Sequence, residues 1–221
     1  MLTYFKGWYK CLDLQELYNV TNKVNSLYKT KCCEPEYKNI FKVFNITDYD
    51  NTKLIFLAQD PYPQKNIANG IAFGNKVSQK ILSPSLNILK EAVINFEIPH
   101  KCVTFDQTLE EWSKQGVLLL NTSLSVEVNK PGSHSIIWRP FIAKFLQKLS
   151  EWNPGLIYVL WGNQAKSFKM YINHQNNTII EMNHPAWYAR EHKSIPPSFF
   201  VNLNKLVKKQ FGEEINWYNE F

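Results

Sequence analysis

Four short apolar runs, each followed at once by polar residues, constrain the fold of this chain more than any other feature. They cover residues 54–58, 117–120, 156–160 and 178–182. The first three are nearly continuous, the pattern of parallel strands covered on both faces; the fourth is weaker, with Glu181 near its end. Between and after them lie stretches of helical period: Leu86, Leu89 and Val93; Phe141, Phe145 and Leu149; Phe199, Leu203, Leu206 and Val207. Pro84 and Pro140 read as first-turn prolines, where the missing N–H had no helical partner to lose, and Pro197 marks a similar boundary. Strand and helix therefore alternate. Right-handed crossovers between them predict an α/β fold, a three-layer α/β/α sandwich around a central four-stranded, mainly parallel sheet.

Residues 1–50 contain no such run. Leu12, Leu14, Leu17, Val20, Val24 and Leu27 recur near helical spacing, with Thr21 and the stretch around Asn25 as breaks, which predicts one or two helices packed on the sandwich. A chain of 221 residues with 44% hydrophobic content is long enough for one sizeable core, so a single domain over 1–221 is expected. No apolar run approaches the roughly 20 residues that span a bilayer, and Met1-Leu2-Thr3-Tyr4-Phe5-Lys6 lacks an apolar signal core. The expectation is a soluble intracellular protein with no membrane association. Cys11, Cys32, Cys33 and Cys102 form no C-x-x-C pair and no Cys/His cluster at zinc spacing, which predicts reduced thiols and no metal site. A formal charge of +6 suits a phosphate-bearing partner without proving one.

The polar residues after the runs are Gln59-Asp60-Pro61-Tyr62, Asn121-Thr122, Trp161-Gly162-Asn163 and Asn183-His184-Pro185. In an open parallel sheet the carboxyl ends of the strands gather along one edge, where ligands bind. That rule predicts Asp60, Asn121 and His184 around one crevice. Taken singly, each has an ordinary structural reading: a turn residue before proline, a backbone-capping amide, a surface or core histidine. Their joint placement is what points to chemistry.

These residues also carry a resemblance. Gln59-Asp60-Pro61-Tyr62-Pro63 through Gly70-Ile71-Ala72-Phe73 resembles the water-activating motif of family 1 uracil-DNA glycosylases. Leu118-Leu119-Leu120-Asn121-Thr122, then Leu124-Ser125-Val126, Ser133-His134 and Trp138, is similar to the second signature of that family. Ser83-Pro84-Ser85-Leu86, Leu160-Trp161-Gly162, His184-Pro185 and Ile215-Asn216-Trp217 fall in the family's order, so the resemblance covers the chain from about Leu54 to Trp217.

The resemblance implies hydrolysis of the bond between flipped-out uracil and deoxyribose, the first step of base excision repair, with no cofactor. It assigns Asp60 to positioning or activating water and facing the sugar cation, and His184 to uracil O2. Gln59 adds donors to the base, Asn121 reads it, Phe73 stacks on it, and Tyr62 packs beside C5, where a thymine methyl would clash. Ser83, Pro84 and Ser85 pinch the DNA backbone, and Ser133 and His134 contact a phosphate. Pro185, Ala186 and Tyr188 face the minor groove. The implied partner is uracil-containing DNA, single- or double-stranded, and the resemblance allows a proteinaceous inhibitor. A monomer is expected, cytoplasmic, or nuclear in a eukaryotic or viral setting. The chain departs from the family at Pro63-Gln64, usually histidine and glycine, at Ala186, usually serine, and at Tyr188, usually leucine. The alternatives are a related DNA-binding scaffold with weak or no glycosylase activity, a glycosylase for other bases on the same sandwich, and a metal-dependent nuclease, for which only Asp60 is suitably placed.

Overall fold

The computed structural model describes residues 5–94 and 103–220, so Met1 to Tyr4 and Cys102 lie outside the described residues. Its centre is a four-stranded sheet of β1 (Leu54–Ala58), β2 (Val117–Asn121), β3 (Ile157–Trp161) and β4 (Thr178–Met182). All neighbouring strands are parallel, and the spatial order is β2-β1-β3-β4. The second strand runs one residue past its predicted end, and the third is shifted one residue forward. Every residue of β1, β2 and β3 is buried, whereas most of β4 is partly exposed. The edge position of β4 explains its weaker apolar run, because one side of it lacks a neighbouring strand.

Alternation along the strands splits the interior in two. Ile55, Leu57, Leu118, Leu120, Tyr158 and Leu160 point to one face, and Leu54, Phe56, Val117, Leu119, Ile157 and Val159 to the other. The first face is covered by α1 (Leu14–Thr30), through Val20 and Val24, and by α3 (Ser135–Trp152), through Phe141, Phe145 and Leu149. On the second face lie α2 (Pro84–Ile94), through Leu86, Leu89 and Val93, and α5 (Phe199–Phe211), through Phe200, Leu203 and Val207. The short α4 (Pro185–Arg190) packs against α2. Fully burying one Val, Leu, Ile or Phe side chain stabilises by roughly 1.5–3 kcal/mol, so the sheet is the most firmly held part of the molecule. This is the three-layer arrangement expected from the strand and helix order.

Two local expectations are corrected. The first helix is continuous from Leu14 to Thr30, with no break at Thr21 or near Asn25. Thr21 Oγ1 donates to Leu17 O at 2.6 Å and Asn25 faces solvent, so neither polar side chain has to leave the helix to find a partner. Pro140 lies inside α3 rather than in its first turn. The carbonyl it deprives belongs to Ile136, a residue 89% exposed, where water can replace the missing donor.

The N-terminal region also contributes a two-residue strand, Cys33–Glu34, paired antiparallel with Val126–Glu127. Cys11 is buried, Cys33 half-buried and Cys32 exposed, all as free thiols. Among the described residues no helix is long and apolar enough to cross a membrane.

Candidate active site

The strand register brings the expected residues to one edge. Ala58 pairs with Asn121, Leu57 with Leu160, and Trp161 with Met182, so Asp60, Asn121, Gly162 and His184 leave the sheet at the same end. Cross-bonds then fix the loops. Thr122 N donates to Ala58 O at 2.9 Å, Ser123 N to Gln59 O at 3.0 Å, and Thr122 Oγ1 to the same carbonyl of Gln59 at 2.7 Å. Ala72 N donates to Leu119 O at 3.1 Å, which folds the segment after the first strand back over β2.

Asp60 is held by a backbone donor, with Gly132 N–H pointing at Oδ2 over 2.5 Å. Burial pushes its pKa above the ordinary carboxylate value, and the hydrogen bond from Gly132 opposes that rise. The other oxygen, Oδ1, accepts no hydrogen bond among the described residues and can hold a water.

His184 caps α4 by accepting the N–H of Ala186 at Nδ1, 3.1 Å away. A nitrogen that accepts carries no proton, so the neutral ring presents its N–H at Nε2. Burial, reinforced by the charge of Arg190, lowers its pKa from 6.5 to about 4. At neutral pH the group is a neutral hydrogen-bond donor. Its ring lies 5.5 Å from that of Phe73, which also meets Trp161 edge-on at 6.2 Å.

Phe73 sits at φ 66°, a left-handed conformation that costs a non-glycine residue roughly 1–2 kcal/mol. Tyr62 braces it, its hydroxyl donating to Phe73 O at 3.0 Å, and burial raises the phenol's pKa. Asn121 is 6% exposed, and its Oδ1 is buried with no hydrogen-bond partner among the described residues. An unpartnered buried acceptor costs about 1–3 kcal/mol. Beside it lies a cavity of about 10 Å³ bordered by Pro61, Gly70, Ile71, Ala72 and Leu124.

The residues expected to face DNA are less uniformly placed. Pro84 is exposed, but Ser83 and Ser85 are 6% and 4% exposed, and Ser83 Oγ donates to Asn75 Oδ1 at 3.0 Å. Ser133 lies at the surface and its hydroxyl accepts the N–H of Glu127 at 2.9 Å. His134, expected at a phosphate, is a core side chain instead, with Nδ1 2.9 Å from Ser125 Oγ, which also accepts from Trp138 Nε1 at 2.8 Å. Pro185 is buried and Ala186 half-buried. Tyr188, expected as a wedge, belongs to the core cluster on the α2 side of the sheet; the more exposed ring of this segment is Trp187, which stands edge-on to Tyr188 at 5.0 Å.

Two features of the site lay beyond the sequence reading: the donor to Asp60, and the reason for a glycine at 162. Gly132 supplies the donor to Asp60, and no motif or apolar run marked it. Gly162 has φ +87°, and a Cβ there would fall 2.9 Å from His184 Cβ, so only glycine lets the third and fourth strands deliver their ends so closely.

Comparison with known proteins is consistent along the chain. The family model of the Uracil DNA glycosylase superfamily matches residues 44–208. The protein named uracil-DNA glycosylase in Campylobacter lari is 38% identical over 198 residues, covering 89% of this chain and 85% of that protein. Its namesake in Francisella tularensis subsp. novicida is 35% identical over 187 residues, 83% of each chain. Among solved structures, mimivirus uracil-DNA glycosylase superposes with a TM-score of 0.76 at 22% identity, covering 96% of this chain and 89% of that one. A variant of the mimivirus protein in complex with UGI gives 0.80 at 22% identity, covering 91% and 82%. The wild-type UNG of Nitratifractor salsuginis gives 0.64 at 19%, covering 96% and 92%. At such identities the structural likeness establishes the fold.

Proposed function

The chain belongs to the uracil DNA glycosylase superfamily, and from that premise we propose that it is a uracil-DNA glycosylase of the family 1 type, using the strand-end crevice as its active site. It hydrolyses the N-glycosidic bond between flipped-out uracil and deoxyribose, so it is a monofunctional glycosylase that opens base excision repair. Breaking that bond places positive charge on the sugar and negative charge on the base, and the two half-buried ionisable groups, Asp60 and His184, suit opposite ends of it.

Asp60 faces the sugar. Anchored at Oδ2 by Gly132, it keeps Oδ1 for the attacking water and its charge for the cation. His184 faces uracil O2 with the Nε2 proton left to it by the Ala186 contact. A neutral donor of this kind strengthens its bond as the oxygen gains charge, which favours the transition state over the ground state. Phe73 stacks on the base, Tyr62 stands beside C5 and excludes a methyl, and Gln59 adds donors from the β1 exit.

The observation that carries the reading is the bare oxygen of Asn121. Uracil N3–H would satisfy it and uracil O4 would take the amide N–H, whereas cytosine presents an acceptor at N3 and leaves the same oxygen unpaired. Extraction of the base from the stack costs a few kcal/mol, which DNA contacts at Ser83, Pro84, Ser85, Ser133, Pro185, Ala186 and Tyr188 help to offset. The burial of Tyr188 means that its use as a wedge requires the ring to leave the α2 side of the core. Uracil-containing DNA, single- or double-stranded, is the partner, and the mimivirus relative solved with UGI supports a proteinaceous inhibitor as a second one. We place the protein inside the cell, as a monomer.

An oligonucleotide carrying one uracil, incubated with the protein without added metal and then treated with alkali, tests this directly. A strand break at the uracil is expected. An intact strand would leave a DNA-binding scaffold as the surviving reading.

A further inference from the structure

Beyond the bonds from Thr122 and Ser123 to Gln59 O at its start and from Gln79 Nε2 to Asn66 O at its end, the loop that carries Asp60 is fastened by three backbone N–H groups. Gly132 N donates to Asp60 Oδ2 at 2.5 Å, and Asn129 N donates to Pro63 O at 2.9 Å. The third ties the loop to the N-terminal region, where Asn66 N donates to Glu34 Oε1 at 2.6 Å. Glu34 is 4% exposed, an unusual place for a carboxylate, and its Oε2 has no hydrogen-bond partner among the described residues. Its strand pairs with Val126–Glu127, the start of the turn that supplies Gly132 and Asn129. Lys31 and Lys130 clamp that turn through Glu127, at 2.9 and 2.5 Å. The carboxylate, the turn and the Asp60 loop therefore form one closed circuit of bonds.

We propose that Glu34 is a positioning residue for Asp60, fixing the far end of the 59–66 loop through the Asn66 N–H. Two local facts fit such a clamp. Pro63 has no N–H to donate, so the fastening falls to later residues, and Asn66, at φ 67° in a left-handed conformation that asparagine tolerates, turns its N–H to the carboxylate. A charge-assisted bond to a buried carboxylate is short and roughly twice as strong as a neutral one, and burial keeps water from competing for it. The carbonyl of Pro35, the next residue, accepts the Tyr28 hydroxyl at 2.7 Å, which ties the backbone beside Glu34 to α1. Loop position, and with it the direction of the Asp60 carboxylate, is set from the N-terminal helix.

The inference rests on the proposed glycosylase reading, and the wild-type rate separates the two: absence of uracil release by the wild type would remove that reading and leave Glu34 without a reaction to assist. Single-turnover release of uracil at saturating enzyme is compared for wild type, Glu34→Ala, Glu34→Gln, and each substitution in an Asp60→Asn background. Glu34→Ala is expected to slow release about tenfold, and Glu34→Gln, which keeps a neutral acceptor, about threefold. Neither substitution slows the Asp60→Asn enzyme further, because its carboxylate is already gone. A purely structural role would lower the melting temperature with the rate per folded molecule unchanged. Wild-type rates in Glu34→Ala, or an undiminished loss in the Asp60→Asn background, would overturn the proposal. Should Glu34→Ala not fold, an unchanged rate in Glu34→Gln does the same.

Discussion

A partly desolvated histidine that accepts a backbone N–H through Nδ1 and feels the charge of an arginine has one protonation state at physiological pH, and His184 is in that position. Its pKa near 4 lies well below the ordinary 6.5, so uracil release should pass through pH 6.5 without an inflection. The acid limb belongs to Asp60, whose pKa burial raises, so activity on acidification should start to fall at a higher pH than an unperturbed aspartate would give. A pH–rate profile of kcat checks both signs. A limb near 6.5 that disappears in His184→Gln would show a charged imidazole at work. Asp60, Asn121 and His184 were legible in the sequence because each follows an apolar run at a strand end, a rule that needs no knowledge of packing. The burial of His134 and Tyr188 was not, because it depends on which helix covers them, and the same motif letters are compatible with an exposed or a buried ring.

Between the strand ends and the chemistry stand short connections that tolerate little change, and Gly162 is the tightest. An alanine there combines left-handed strain of roughly 1–2 kcal/mol with a Cβ 2.9 Å from His184 Cβ, an atom too close to the backbone to swing away. Gly162→Ala should therefore lower the melting temperature and slow uracil release at least about tenfold by displacing the imidazole. Gly212→Ala is the control: at φ +81° it meets nothing within 4 Å, so it should lose stability with the rate kept. Equal rates in both variants would show that the position of His184 does not depend on Gly162. Elements of this kind were read well where period and length agreed, as in β1 and α2. They were misread where a polar residue found a local partner, as Thr21 does with Leu17 O, or where an interior proline left its orphaned carbonyl to solvent, as Pro140 does. The N-terminal region was hardest, because its contribution to the site is a single carboxylate on a two-residue strand.

At the scale of the whole molecule, the site exists only once the sheet has assembled. Asp60, Asn121 and His184 follow or end three strands, with β1 setting the register of β2 and β3, and β3 that of β4. The parallel order with helices on both faces followed from the spacing of the apolar runs, which is why the gathering of the strand ends along one edge could be anticipated from the sequence. The central claim is that these three side chains serve one bond. Its most direct test is the single-turnover rate of uracil release from a one-uracil duplex for wild type, Asp60→Asn, Asn121→Ala and His184→Gln, measured beside their melting temperatures. Each substitution should slow release about 100-fold or more while the fold melts within a few degrees of wild type. A wild-type rate in any one of the three would contradict the account.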